Sequence, residues 1–455
     1  MNYTEIIKTQ TDYFRTNQTK NTGFRIEQLK KLKKVLNNNE DELYEAIYAD
    51  FKKSEFDTYT TELSFIYREI DGFIKNIPQW AKRKRVTTNF LNLPASSYIL
   101  TEPLGVCLII GAWNYPYQLS LSPVVAAIAA GNTIVLKPSE IASASSEIMA
   151  KLINENFPSE YMIVVQGGIA ETSDLLHQKF DKIFFTGSTQ TGKIVYQAAA
   201  RNLTPVTLEL GGKNPAIVTG TCNLKISAKR IVWSKFLNSG QTCIAPDYIL
   251  IDEMVKDEFL NHLKYYIQKF NYSFENKNYV QIIDERHFLR LSALIDKTKI
   301  YWGGQMDLRT RFIAPTILTD VTFDDKVMEE EIFGPILPVI SYSNLKEVIL
   351  KFKSQPKPLA CYIFTNDPLV KNKLLEELSF GGGTINDCMM HFTNRNLPFG
   401  GIGNSGFGSY HGYSGFATFS HFKSILRKPF GLEPDLKYSP VSEKKLRWLK
   451  WLMSI

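Results

Sequence analysis

The chain has 455 residues, 44% hydrophobic and 13% aromatic, which is enough for two or three packed cores and far from the composition of a disordered polymer. Its formal net charge of +7 reads as spread along the sequence without a long basic block, which argues against a nucleic-acid binder and leaves anionic small ligands open. Five cysteines (Cys107, Cys222, Cys243, Cys361, Cys388) with no CxxC pair argue against a disulfide framework or a structural zinc site and suit a reducing compartment.

Met1 to Phe14 mixes charged and apolar residues and lacks the apolar core of a secretory signal, so a cytoplasmic location is expected. Leu63, Ile66, Tyr67, Ile70, Phe73, Ile74 and Ile77 recur at spacings of three and four, predicting an amphipathic helix that ends before Pro78 and closes a helical lead-in of roughly 80 residues. Trp80 to Arg85 is basic, and Thr87 to Leu100 reads as an extended excursion, a strand pair. From Leu104, apolar runs at Leu104 to Ile110, Thr133 to Leu136, Tyr161 to Val165, Lys182 to Phe185 and Val206 to Leu208 alternate with stretches of helical length. About five parallel strands of this kind imply an open doubly wound sheet whose ligands bind beyond the carboxyl ends of the strands. The most apolar region, Val106 to Leu136, is broken by Asn114, Pro116, Gln118, Pro123, Gly131 and Asn132 and offers no membrane span. A second α/β stretch runs from Asn214 to about Cys388. The Gly-rich Phe399 to Gly415 reads as loop, and Phe416 to Arg427 as extended structure.

Several strand ends carry chemistry. Phe184 to Lys193 holds Gly187, Ser188 and Gly192 in a turn that opens a helix; it suits a pyrophosphate, although the spacing fits neither nucleotide fingerprint and a ligand-free turn explains it equally well. Lys137 and Glu140, at another strand end, suit ribose hydroxyls, or else a solvated turn. Cys243 lies in a polar, Gly-containing loop suited to a reactive thiol, whereas Cys107 and Cys361 sit in apolar runs and read as structural. Glu209 precedes the pair Gly211 and Gly212; it suits a base of raised pKa, and a helix-capping or ion-paired Glu explains it equally well. Asn114 could donate to an oxyanion, or simply make the turn before proline. The six histidines include no HxxxH or HExxH spacing, and no metal is expected.

Taken together, Trp113-Asn114, Lys137-Pro138-Ser139-Glu140, Phe185-Thr186-Gly187-Ser188, Leu208-Glu209-Leu210-Gly211-Gly212-Lys213, Gly240-Gln241-Thr242-Cys243 and Glu331-Ile332-Phe333-Gly334-Pro335 resemble the aldehyde dehydrogenase superfamily, in family order and over nearly the whole chain. Cys243 to Tyr248, Leu397 to Gly401 and Ser409 to Gly412 resemble its class 3 branch, which includes fatty and aromatic aldehyde dehydrogenases. The resemblance implies two doubly wound α/β domains, a Rossmann-like cofactor domain (1–82 and 101–208) and a catalytic domain (209–395), with a small β oligomerisation part (83–100 and 410–455). It implies NAD or NADP as cofactor, a small-molecule aldehyde substrate and a homodimer. It makes Cys243 the nucleophile, Glu209 the base for the deacylating water and Asn114 the oxyanion holder. Trp113, Lys137, Glu140, Gly187, Ser188, Gly192, Leu210, Gly211, Glu331 and Phe333 would bind the cofactor. Two rivals stay open: acyl transfer to coenzyme A, which has no need of a hydrolytic base, and a non-catalytic scaffold of the same fold.

At the C-terminus, Leu446, Leu449, Leu452 and Met453 fall on one helical face among cationic residues and Trp448 and Trp451. Such a tail suits packing on the protein's own body or a partner subunit, or peripheral membrane contact.

Overall fold

The computed structural model describes residues 2–431 and 433–454. Its first part is helical as expected: Tyr3–Arg15, Thr22–Asn38, Glu40–Phe51 and Ser64–Trp80. The last of these buries Ile66, Ile70, Phe73 and Ile77, but it runs through Pro78 instead of ending before it. Proline that close to a helix end removes one backbone bond, and Ala81 N–H still reaches the Ile77 carbonyl at 2.9 Å while Trp80 packs edge-on against Phe73. Packing therefore carries the helix one turn further.

Strands follow in chain order. β1 (Lys84–Val86) and β2 (Ser96–Pro103) pair antiparallel. β3 (Val106–Ile110), β4 (Thr133–Lys137), β5 (Met162–Val164), β6 (Lys182–Thr186) and β7 (Val206–Glu209) are parallel, in spatial order 7-6-3-4-5. The chain builds outward from β3 on one side through β4 and β5, then returns to the other side with β6 and β7. The junction of β3 and β6 is the point where an open sheet of this kind leaves a crevice. Every residue of these five strands is buried, the mark of a parallel sheet covered on both faces. The helix Pro116–Ala130 between β3 and β4 is buried at all of its residues, so the most apolar stretch of the sequence is core. No helix among the described residues is long and apolar enough to cross a membrane.

The second sheet is mostly parallel and has the order 10-13-14-9-8-15-16. It is built from β8 (Pro215–Val218), β9 (Tyr248–Asp252), β10 (Ile300–Trp302), β13 (Thr316–Leu318), β14 (Ile336–Tyr342), β15 (Ala360–Phe364) and β16 (Gly382–Ile385). β11 (Met306–Asp307) and β12 (Phe312–Ile313) form a separate ribbon.

The glycine-rich segment departs from expectation. β17 (Gly406–Phe407) adds an antiparallel edge to the first sheet, with Gly406 opposite Glu209, and a helix, Gly412–Thr418, precedes β18 (Ser420–Arg427). Phe416 of that helix is fully buried and packs on Trp80 at 5.5 Å, so tertiary contact supplies what seven residues of weak periodicity could not signal. β18 pairs along its whole length with β2, giving a small three-stranded sheet. The tail forms a helix, Glu443–Met453, capped by Ser442, with no buried residue; Ile455, the last residue of the expected tail, lies outside the described residues.

Candidate active site

The crevice opens where β3 and β6 part, and the loops leaving the strands line it. A Cβ at Gly111 would stand 2.2 Å from Ser120 Oγ, so only glycine lets the chain turn tightly off β3 toward Trp113 and Asn114. Trp113 meets Phe333 and His287 edge-on, with ring centroids 5.4 and 5.2 Å away. After β6, Gly187 N–H donates to the Glu209 carbonyl at 3.0 Å, and Ser188 caps the helix Thr189–Ala200 by accepting from Thr191 N–H. The other first-turn N–H groups have no partner within the helix, at its positive end. Gly192, one turn in, lies against Leu210, whose Cδ2 would be 2.6 Å from an added Cβ; these two positions let the helix close on the wall. After β4, the buried Lys137 ammonium donates to the Pro138 carbonyl at 2.7 Å and lies 3.4 Å from Glu140, whose carboxylate is half exposed. A helix N-terminus flanked by an ammonium and a carboxylate at neighbouring strand ends fits NAD or NADP: donors for pyrophosphate, and polar partners for ribose hydroxyls.

Cys243 enters from the opposite wall. Past the helix Leu224–Phe236, Asn238, Ser239 and Gly240 all take left-handed φ, at 54°, 53° and 73°. A side chain at Gly240 would put its Cβ 2.3 Å from the Gly334 carbonyl oxygen. The turn is pinned by Ser239 Oγ donating to the Val280 carbonyl at 2.6 Å and by Ile283 N–H donating to Gln241 Oε1 at 3.0 Å. Thr242 and Tyr115 share a hydroxyl bond of 2.7 Å, and the Asn214 amide donates to the carbonyls of Cys243 and Ala245 at 2.7 and 3.1 Å. The thiol therefore rides on a loop fixed on both sides. Asn114 donates through Nδ2 to the Gln241 carbonyl at 3.1 Å, which uses one of its two amide hydrogens and leaves the other for a ligand oxygen.

Charge is arranged with equal care. Glu209, at the end of β7, is buried, and neither carboxyl oxygen has a hydrogen-bond partner among the described residues; burial holds its pKa well above the usual range. Glu331 is pushed up to about 8, by burial first and then by Asp247. It touches Gly211, where an added Cβ would stand 1.8 Å from its Oε2. The Cys243 thiol is raised by burial and by the charges of Glu331 and Glu209, while the N–H groups of Cys243 and Ile244 pull it down. The Glu331 to Phe333 segment, with Phe333 at φ 52°, is braced from below. Lys213 pairs with Asp247 at 2.6 Å and donates to the Glu330 carbonyl at 2.8 Å; Asp247 accepts Ile332 N–H at 3.0 Å; Arg290 donates to the Ile332 carbonyl at 2.5 Å.

The residues singled out in the sequence gather at this crevice, but those bracing them were missed. Glu62 pairs with Lys53 at 2.6 Å and accepts the N–H groups of Tyr117 and Gln118, fixing the turn that carries Asn114, while the Lys53 ammonium also lies 4.1 Å from the Tyr115 ring centre. The pair comes from a region whose only sequence signal was helical spacing. Asn214 and Lys213 had a weak signal, standing directly after the glycine pair.

The sequence profile of the Aldehyde dehydrogenase family matches residues 2–425. The chain is 46% identical over 437 residues to the 4,4'-diaponeurosporen-aldehyde dehydrogenase of Staphylococcus aureus, covering 95% of each chain. It is 44% identical to the rat dimeric NADP-preferring aldehyde dehydrogenase, covering 93% of this chain and 94% of the relative. The solved structure of the substrate-bound state of Staphylococcus aureus AldH superposes with a TM-score of 0.96 at 44% identity, over 99% of each chain. A doubly wound sheet with a dinucleotide crevice, a thiol on the facing wall and this likeness over the full length lead to one conclusion: the chain belongs to the aldehyde dehydrogenase family, as an enzyme that oxidises aldehydes with NAD or NADP.

Proposed function

We propose that Cys243, Asn114 and Glu209 carry out hydrolytic aldehyde oxidation on medium- to long-chain aliphatic or aromatic substrates. The Cys243 thiolate adds to the carbonyl carbon, and the oxyanion takes hydrogen bonds from the second Asn114 amide hydrogen and the Cys243 backbone N–H. Bound NAD or NADP supplies the acceptor for the hydride that leaves that carbon. The thioester left on Cys243 is opened by water whose proton goes to Glu209. Trp113, Lys137, Glu140, Gly187, Ser188, Glu331 and Phe333 hold the cofactor along the crevice. Support for an apolar substrate comes from Tyr410, a buried ring close to the thiol that is backed edge-on by Phe399.

The observation that carries the hydrolytic reading is the Glu209 carboxyl, buried without a partner among the described residues and close enough to Cys243 to raise its pKa. Transfer to coenzyme A would need no base there. Reduced-cofactor absorbance at 340 nm tests it: wild type should turn over without coenzyme A, Cys243→Ala should be dead, and Glu209→Gln should stop after one acylation. Turnover that requires coenzyme A overturns it.

A cytoplasmic homodimer is also proposed. Five free cysteines support the reducing compartment. The outer edges of β16 and β18 have no strand partner among the described residues, and Ile194, Tyr196 and Phe407 are exposed together, which supports self-association; a relative is named dimeric. Peripheral contact with an anionic lipid surface draws support from the tail, where Leu446, Trp448 and Trp451 are exposed among Lys444, Lys445, Arg447 and Lys450. Exposed Phe90, Leu91 and Leu93 lie in the loop just before Ser96, the residue that pairs with Arg427 where the chain leaves for that tail.

A further inference from the structure

Two polar groups on the helix Pro116–Ala130 are left over once the catalytic turn is built. Gln118 Nε2 and Ser122 Oγ find no partner among the described residues, although both side chains are buried, each residue being 3% exposed. They stand one helical turn apart, about 6 Å along the axis, and both line a cavity of about 20 Å³, room for one water-sized oxygen. A buried donor without an acceptor is costly, so a cavity that presents two of them suits an oxygen supplied by a ligand.

The rest of the lining supplies apolar walls and charge. Phe65 and Phe392 meet edge-on with ring centres 5.2 Å apart. Arg395 lies across the helix Ser64–Trp80 where Gly72 leaves it space, since an added Cβ there would stand 2.4 Å from its Nη1. That nitrogen donates to the Arg68 carbonyl at 2.8 Å, which holds the Arg395 guanidinium over the turn that carries Arg68. Among the described residues the arginines ion-paired with a carboxylate are Arg15, Arg230 and Arg309, so Arg68 and Arg395 line the cavity without a counter-ion. Glu69 is the one carboxyl in the lining, and burial pushes it up to about 7. Even ionised it offsets only one of the two guanidinium charges, while His411, held down at about 3 by burial, is neutral.

Two routes join this cavity to the catalytic turn. Along the chain, Gln118 is four residues past Asn114, whose amide bonds the Gln241 carbonyl at 3.1 Å, and four residues span at most about 14 Å. Through the packing, the Tyr362 hydroxyl donates to the carbonyl of Ile244, the neighbour of Cys243; the Tyr362 ring lies 6.2 Å from His391, His391 stacks on Phe399 at 6.0 Å, and Phe399 meets Phe392 at 5.2 Å.

We propose that the cavity receives the far end of the substrate and that this end carries a carboxylate, so that the enzyme prefers ω-oxo carboxylic acids to plain alkanals of the same length. With the carbonyl at Cys243, the methylene chain runs between Phe65 and Phe392. One carboxylate oxygen accepts hydrogen bonds from Gln118 Nε2 and Ser122 Oγ, and the other faces Arg395 and Arg68. The inference rests on Cys243 being the nucleophile.

The test is kcat/KM of the full chain for aldehydes paired by length, nonanal with azelaic semialdehyde and hexanal with adipic semialdehyde, at low and high salt. In at least one pair the wild type should favour the acid by about tenfold, chiefly through KM, and salt should shrink that ratio. Arg395→Gln should bring the ratio toward unity by raising KM for the acid; Arg68→Gln should lower it, and Arg395→Lys, which keeps the charge, should retain part of it. Both arginines are exposed, so these variants should fold. A wild-type ratio near one in both pairs, a ratio that Arg395→Gln leaves unchanged, or an equal loss for both members of a pair overturns the proposal. If no aldehyde of either kind is oxidised, the activity assigned to Cys243 has failed and this inference with it; if nonanal and hexanal are oxidised as well as their acids, the substrate inference alone has failed.

Discussion

Cys243 sits between two carboxyl groups, and that placement decides when it is a nucleophile. Burial, Glu331 and Glu209 all raise the thiol above its ordinary 9.0, so at neutral pH in the absence of ligands it is protonated. Because a raised pKa keeps the reactive thiolate scarce until the solution is alkaline, alkylation of Cys243 by iodoacetamide should be slow at pH 7 and still climbing above pH 9. Mass spectrometry of the Cys243 peptide follows it; a plateau below pH 8 would contradict the electrostatics described. The residue itself was legible because a cysteine in a polar, glycine-containing loop is unlike one in an apolar strand. Glu62, Lys53 and Tyr115 were not, since each acts through a partner dozens of residues away, and pairing at that distance leaves no local pattern. Asp247 and Lys213 are similar: the ion pair is visible only once β8 and β9 are side by side.

Among the elements, the parallel strands announced themselves as continuous apolar runs because both faces of the sheet are covered. β17 and the helix Gly412–Thr418 were hidden for the opposite reason: two residues of strand and seven of glycine-rich helix carry too little periodicity, and their neighbours, β7 and Trp80, define them. Just past the end of β7, Gly211 faces the Glu331 side-chain carboxyl with no space for a methyl group. Gly211→Ala should therefore push Glu331 off its seat while sparing Cys243. The expected outcome is a cofactor KM raised roughly tenfold, with reactivity of the thiol toward iodoacetamide nearly unchanged. Steady-state kinetics against NAD and NADP measure it; loss of both together would mean that the whole crevice, and not the Glu331 segment, had shifted.

Over the whole molecule, charge is less evenly spread than the sequence suggested. Residues 82–100 and 420–454 hold twelve basic and three acidic side chains, a formal +9 against +7 for the entire chain, so the remainder is slightly acidic. If that concentration meets lipid, the protein should sediment with vesicles containing about a third phosphatidylglycerol and not with phosphatidylcholine alone, and removal of residues 439–455 or salt near ~0.5 M should release it. Sedimentation unaffected by lipid charge would return the tail to a protein contact. The crevice has a further consequence of its own. Its walls come from two separate sheets, Lys137 and Ser188 on one and Glu331 and Phe333 on the other, so a dinucleotide spanning it is a non-covalent tie between two cores. Unfolding of either core must then release the ligand, and at a hundredfold excess over Kd that linkage is worth about 2.7 kcal/mol to both at once. Cofactor supply would in this way govern how long the protein survives as well as how fast it works, with oxidised and reduced forms protecting it in proportion to how tightly each is held.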